Sequence, residues 1–258
     1  MNVEPAVIRV EHLTAGYAGR ALLEDLSFEV QRGEVFAILG GSGSGKSTLL
    51  KHLIGLFPPM NGHIWLDGID IATVQGGARL LALRRIGVAY QSGALFGSLT
   101  LVQNVRFPLE EYTELPDEAL ELIARMKLDL VGLREFSDSL PAEVSGGMQK
   151  RAAIARAMAL DPAIVFLDEP SAGLDPVTSA GLDQLILRLK HGLGITFVVV
   201  THELPSIFTI ADRVIMLDRQ SRSIVAQGRP QELRDHSDIP VVHQFFNRQP
   251  AAGVEAEG

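Results

Sequence analysis

The chain contains no cysteine. That excludes disulfides, thiolate zinc sites and cysteine nucleophiles, and with nothing pointing to an oxidising compartment a cytosolic setting is expected. Long apolar runs are also missing. The longest, residues 195–200 around Thr196, has the length of a strand and falls short of the ~20 residues a membrane helix needs. Any membrane role is therefore expected to pass through a partner. The first residues, Met1-Asn2-Val3-Glu4-Pro5, lack the basic start and apolar core of a signal peptide, so the protein is expected to stay where it is made. Positive charge is the minority sign, with 23 Lys and Arg against 31 Asp and Glu and a formal net charge of −8. This balance disfavours a protein that coats nucleic acid, and no nucleic-acid partner is expected.

What is present begins with size: 258 residues can bury a sizeable core, and one elaborated α/β domain is expected. The stretch Gly40-Gly41-Ser42-Gly43-Ser44-Gly45-Lys46-Ser47-Thr48 follows the apolar run Val35-Phe36-Ala37-Ile38-Leu39 and leads into Leu49-Leu50-Lys51-His52-Leu53-Ile54. It reads as the turn between a buried strand and a helix. Gly40, Gly45, Lys46 and Ser47 satisfy the phosphate-loop template G-x-x-x-x-G-K-[ST], in which glycines expose backbone N–H groups to phosphate oxygens beside a helix N-terminus. Lys46 would reach the β- and γ-phosphates and the Ser47 hydroxyl would ligate Mg²⁺. A flexible Gly/Ser loop is the alternative, which the strand–loop–helix context disfavours.

Other polar residues stand at the ends of apolar runs. Upstream, residues 8–30 read as short strands or hairpins, with Tyr17 set between Gly16-containing and Gly19-containing turns; its ring either stacks on a nucleotide base or packs onto the sheet. Ile86-Gly87-Val88-Ala89-Tyr90 ends on Gln91, whose amide either coordinates Mg²⁺ or orients water, or is ordinary polar surface. Residues 92–160 read as a helical insertion. Near its end, in Val144-Ser145-Gly146-Gly147-Met148-Gln149, Ser145 is a helix N-cap candidate before two bare backbone N–H groups, which makes either a second anion site or an ordinary capped helix. Ala163-Ile164-Val165-Phe166-Leu167 ends on Asp168-Glu169. Ligands of open α/β sheets bind outside the carboxyl ends of strands, so these acids are expected to share a crevice with Lys46. Asp168 would hold Mg²⁺, directly or through water, and Glu169 would polarise the attacking water. Phe197-Val198-Val199-Val200-Thr201 ends on His202, either a γ-phosphate contact or a surface histidine. His202-Glu203 begins like H-E-x-x-H, but Ser206 occupies the second histidine's place and the metalloprotease reading fails.

With Ser145-Gly146-Gly147, Asp168-Glu169 and His202 placed, the chain resembles the ATP-binding subunit of an ABC transporter along nearly its whole length. The resemblance implies a P-loop NTPase core with a mainly parallel sheet, an N-terminal antiparallel β subdomain and an inserted α-helical subdomain at about residues 92–160. Residues 1–240 would form this domain, and residues 241–258 a tail with an apolar cluster (Val241, Val242, Phe245, Phe246) followed by a disordered end. It implies that Tyr17 stacks on adenine, residues 40–48 are Walker A, Gln91 is the Q-loop glutamine and residues 144–149 are the signature motif. Asp168 and Glu169 would be the Walker B pair, residues 171–175 the D-loop, and His202 the switch histidine. ATP and Mg²⁺ are the implied cofactors. The implied partner is a second copy of the chain, with each ATP held by Lys46 of one copy and by Ser145 and Gly147 of the other. Val144 and Met148 depart from the usual signature leucine and glutamine, and activity is expected to survive because Ser-Gly-Gly remains. More narrowly, Tyr90-Gln91-Ser92-Gly93-Ala94-Leu95-Phe96-Gly97-Ser98-Leu99-Thr100 and the Gly-Gly-Met signature look like Mla-type ATPases. That likeness implies phospholipid transport from the cytoplasmic face of the inner membrane with an integral-membrane permease, an MCE-type lipid carrier and an accessory subunit. Leu95, Phe96 and Leu99 either face the permease or pack the insertion.

Overall fold

A computed structural model describes residues 6–248. The chain opens with strands β1 (Ile8–Tyr17) and β2 (Arg20–Val30), then β3 (Val35–Gly40) and helix α1 (Lys46–Leu53). Next come β4 (Asn61–Leu66), β5 (Ile69–Asp70), α2 (Gly76–Leu83) and β6 (Ile86–Ala89). Helices α3 (Leu101–Tyr112), α4 (Asp117–Leu130) and α5 (Gly146–Ala157) follow without an intervening strand. The chain then alternates through β7 (Ile164–Asp168), α6 (Pro176–Leu193), β8 (Thr196–Val200) and α7 (Leu204–Ile210). It closes with β9 (Arg213–Asp218), β10 (Ser223–Gly228), α8 (Pro230–His236) and α9 (Pro240–Phe246).

The strands form two sheets. One is antiparallel, in the order β2-β1-β4-β5, and the other has the order β10-β9-β3-β8-β7-β6, parallel except for the β9–β10 pair. Every residue of β3 and of β8 is buried, which is why these strands read as continuous apolar runs rather than as alternation. Parallel pairing of β3 with both β8 and β9, and of β7 with β8, brings the carboxyl ends of these strands to one edge. Helix α1 buries Leu49, Leu50 and Leu53 in the same cluster as Phe36 and Ile38 of the parallel sheet and Ile8, Val10 and Leu13 of the antiparallel one, so α1 is the core between the sheets. No helix among the described residues is long and apolar enough to cross a membrane.

Of the expected short strands or hairpins in residues 8–30, the structure has one hairpin, and its strands are long rather than short, of ten and eleven residues a side. Gly19 and Gly33, with φ of 75° and 74°, sit in the turns that follow β1 and β2, whereas Gly16 lies within β1; register shifts let the two strands run on, with His12 and Asp25 at positive φ inside them. The apolar cluster expected beyond residue 240 is α9, docked on its own domain. Val242 and Phe246 are 0% and 3% exposed and join Ala37, Leu39, Ile207, Val214 and Met216. The small, acidic end at residues 251–258 lies outside the described residues. Phe246→Ala removes a buried ring from this cluster, and a loss of about 3–5 kcal/mol of unfolding free energy is expected in urea denaturation; an unchanged midpoint would show that α9 does not stabilise the domain.

Candidate catalytic edge

The loop after β3 turns on three glycines with positive φ: Gly40 (148°), Gly43 (74°) and Gly45 (97°). Substitution at Gly40 is blocked twice, since a Cβ would sit 2.4 Å from Ser44 Oγ and 2.5 Å from the Leu217 carbonyl oxygen. No side chain caps α1, whose N-cap is Gly45, so its first N–H groups face out of the loop as an anion site. Gly41, Ser42, Gly43 and Ser47 are exposed, Gly45, Lys46 and Thr48 half-buried, and Ser44 buried with its hydroxyl unpartnered. Lys46 Nζ donates to the carbonyls of Gly40 (2.7 Å) and Gly41 (3.0 Å). Burial pushes the Lys46 pKa down, against the pull of Glu169 and Asp168, which places both carboxylates within electrostatic reach of the loop lysine.

Asp168 ends β7, and the Glu169 amide donates to the Val200 carbonyl of the neighbouring β8 at 2.8 Å. Glu169 has φ 45°, in the left-handed region that non-glycine residues rarely adopt, so the chain turns sharply where its side chain emerges. Glu169 Oε1 lies 2.8 Å from Nδ1 of His202, two residues past the end of β8. The histidine is 58% exposed and the carboxylate 13%. Glu169 Oε2 is buried and has no hydrogen-bond partner. Burial first, and the like charge of Glu169 second, push the Asp168 pKa up; Lys51, Lys150 and Lys46 oppose this only in part.

Gln91 is exposed just past β6 and lines, with Asp168, Tyr90 and Gly173, an open cleft of about 510 Å³. Lys150 of α5, which sequence reasoning missed, donates to the Gln91 carbonyl and lies 3.4 Å from the Glu169 carbonyl oxygen. Nothing in the spacing of α5 distinguishes Lys150 from any other basic residue on a helix. Ser145 caps α5, its hydroxyl accepting from the Met148 N–H at 3.3 Å. Ser145 and Gly146 are exposed while Gly147 is buried, where a Cβ would meet Thr178 Cγ2 at 2.4 Å. No hydrogen bond among the described residues joins residues 145–147 to the loop at 40–48, so the two anion sites of one chain remain separate. Tyr17 is 59% exposed at the tip of the β1–β2 hairpin, its ring largely clear of the sheet.

The donor set fits a nucleotide with Mg²⁺. The glycine loop has room only for backbone at Gly40, and Ser44 and Glu169 present orphaned buried oxygens. Ser47, Gln91 and Asp168 offer hydroxyl, amide and carboxylate oxygens, the hard donors that Mg²⁺ takes while keeping several waters. No group of three or more His, Asp and Glu able to hold a metal by themselves occurs among the described residues.

Because folding raises the proton affinity of Asp168, the native state binds more protons than the unfolded chain between the ordinary Asp range and its raised value, and stability falls as pH rises through that window. Asp168→Asn removes this term. Its urea midpoint is expected above that of the parent at pH 7, with the gain shrinking as pH is lowered through the acid range; a variant less stable at neutral pH would contradict the assignment.

Comparison with known proteins agrees with this geometry. The family described as ABC transporter matches residues 23–172. A probable ribonucleotide transport ATP-binding protein, mkl, of Mycobacterium leprae is 43% identical over 93% of this chain and 68% of its own length. The intermembrane phospholipid transport system ATP-binding protein MlaF of Haemophilus influenzae is 39% identical over 93% of this chain and 90% of its own. Among solved structures, the dimeric post-hydrolysis state of the ATP-binding cassette MJ0796 bound to ADP and Pi superposes with a TM-score of 0.76 at 30% identity, over 86% of this chain and 98% of that one. The chain therefore belongs to the ABC transporter ATP-binding family, and it is an ATP-binding, ATP-hydrolysing cassette.

Proposed function

We propose that Glu169 is the general base of ATP hydrolysis, and the observation that carries this is its divided carboxylate. Oε1 is engaged by His202, while Oε2 is buried and unpartnered, in a carboxylate that acts electrostatically on Lys46. One oxygen is thus oriented and the other is free to take a proton from water. Residues 40–48 hold the ATP phosphates through backbone N–H groups and Lys46, and Tyr17 offers its ring to the adenine. Water attacks the γ-phosphorus, its proton passes to Glu169 Oε2, the bond from the γ-phosphorus to the β,γ-bridging oxygen breaks, and ADP and phosphate leave. Ser47, Asp168 and Gln91 would hold Mg²⁺, which would neutralise charge on the phosphates. His202 keeps Glu169 aimed through Nδ1, and its other ring nitrogen serves the γ-phosphate.

The exposed pair Ser145 and Gly146, with the buried Gly147, serves the ATP of a second copy of the chain, so hydrolysis waits on closure of a homodimer. The dimeric form of the cassette MJ0796 supports this reading. The cassette sits peripherally on the cytoplasmic face of the inner membrane and drives a permease. A cleft of about 490 Å³ lined by Leu80, Leu83, Phe96, Phe107 and Tyr112, with Phe96 and Phe107 exposed, is the surface that receives it. The cargo is phospholipid, handed to an MCE-type carrier with an accessory subunit, on the strength of the likeness to MlaF. Purifying the membrane complex and identifying its polypeptides and bound small molecules is expected to recover a permease with phospholipid. Recovery of ribonucleotides, as the name of mkl suggests for that relative, would overturn the cargo, and recovery with ribosomes or DNA and no permease would overturn transport.

Glu169→Gln keeps the shape and the His202 contact but removes the base. ATP affinity is expected to hold within about twofold while turnover falls by about 10²–10⁴; near-normal turnover would exclude Glu169 as the base. Lys46→Ala is expected to weaken ATP binding itself, measured by equilibrium titration.

A further inference from the structure

His52 lies on α1, downstream of the phosphate loop, among Leu49, Leu50 and Leu53. Its ring is 0% exposed and meets Phe57 edge-on at 6.0 Å. Nε2 is 3.0 Å from the Gly16 amide nitrogen and 3.1 Å from the Gly16 carbonyl oxygen. A neutral Nε2 accepts from that N–H in one tautomer and donates to that carbonyl in the other, so the ring is tied to Gly16 in both. Burial pushes the pKa down against the carbonyls of Gly16, Phe57 and Pro58, which keeps the ring neutral. Nδ1 is buried near no better partner than the Phe57 and Pro58 carbonyls, with which it forms no well-aligned hydrogen bond, a cost that an aliphatic residue in this slot would not carry. The histidine is retained in an apolar layer at a penalty, and what it gains is the bond to Gly16.

Gly16 precedes Tyr17 and has no latitude of its own, since a Cβ there would lie 2.1 Å from the Arg20 carbonyl oxygen across the hairpin. The hairpin meets the loop at a second point, where Leu23 closes on Gly45: a Cβ on that glycine would lie 2.9 Å from Leu23 Cγ. We infer that His52 is a positioning residue for the nucleotide, tying Gly16, and through it the ring of Tyr17, to the helix that carries the phosphate loop. It sets the separation between the base and phosphate subsites. The inference rests on the reading of Tyr17 as the base platform.

The test compares ATP with inorganic tripolyphosphate, each with Mg²⁺, by equilibrium titration of the full chain. Tripolyphosphate reports on the phosphate loop alone. His52→Leu is expected to weaken ATP about three- to tenfold, the worth of one buried hydrogen bond, and to leave tripolyphosphate within about twofold. His52→Gln, whose amide both accepts from the Gly16 N–H and donates to its carbonyl, is expected to restore ATP affinity, which a loss of packing alone would not do. Should the leucine variant not fold, His52→Asn, too short to reach Gly16, carries the same expectation. Equal loss of both ligands, or ATP binding unchanged in His52→Leu while Tyr17→Ala is weakened, overturns the role of His52 alone. ATP binding unchanged in Tyr17→Ala overturns the base platform and the inference with it.

Discussion

Everything at the catalytic edge depends on β3 lying between β8 and β9 with all of its residues buried. Parallel pairing on both sides gives the strand no edge and no solvated face, so its only outlet toward solvent is its carboxyl end. There the Leu217 carbonyl of β9 and the Ser44 hydroxyl crowd Gly40 so closely that a backbone without Cβ is required. The loop that follows must therefore present N–H groups rather than side chains, and Lys46 must come from the helix that starts where the loop ends.

The same strand order explains the carboxylate–imidazole pair. Since β8 separates β3 from β7, the segment following β8, Thr201-His202, emerges between the phosphate loop and the residues following β7. The backbone bond from the Glu169 amide to the Val200 carbonyl fixes the register, and His202 then meets Glu169 at 2.8 Å. Asp168 and Glu169 gather like charge in a partly desolvated site, which raises the Asp168 pKa and costs stability at neutral pH. A site that destabilises its own apo fold is one that a cationic ligand relieves.

Much of this was legible in the sequence because buried parallel strands write themselves as apolar runs, and the polar residue ending each run is hard to miss. Gln91, Asp168, Glu169 and His202 stood out in that way, and Lys46 through the phosphate-loop template. The pairing of His202 with Glu169 did not, because it depends on which strand lies between which, a long-range fact that no local pattern carries. The length of the two strands in residues 8–30 was hidden for the opposite reason. Gly16 looks like a turn former, and only the pairing with β2, through a register shift beside it, makes it part of a continuous strand. Lys150 and His52 were invisible because each acts through backbone groups of a segment remote in sequence, and a single polar residue on a helix has no spacing to betray it.

Helix α5 shows how such remote contacts join the parts. Its capped N-terminus exposes Ser145 and Gly146 to solvent, whereas Lys150 turns inward to the carbonyls of Gln91 and Glu169. Farther along, Arg156 donates to the carbonyls of Gly93 (2.9 Å) and Ala94 (2.7 Å), holding the segment that leads from Gln91 into the insertion. Burial of Arg156 and Lys150 in these contacts lowers the pKa of both, so each is held by backbone dipoles instead of by solvent. In the proposed homodimer one end of this rigid helix meets the nucleotide of the second copy while its middle grips the catalytic edge of its own. A displacement of the insertion cannot then reach one site without being transmitted to the other.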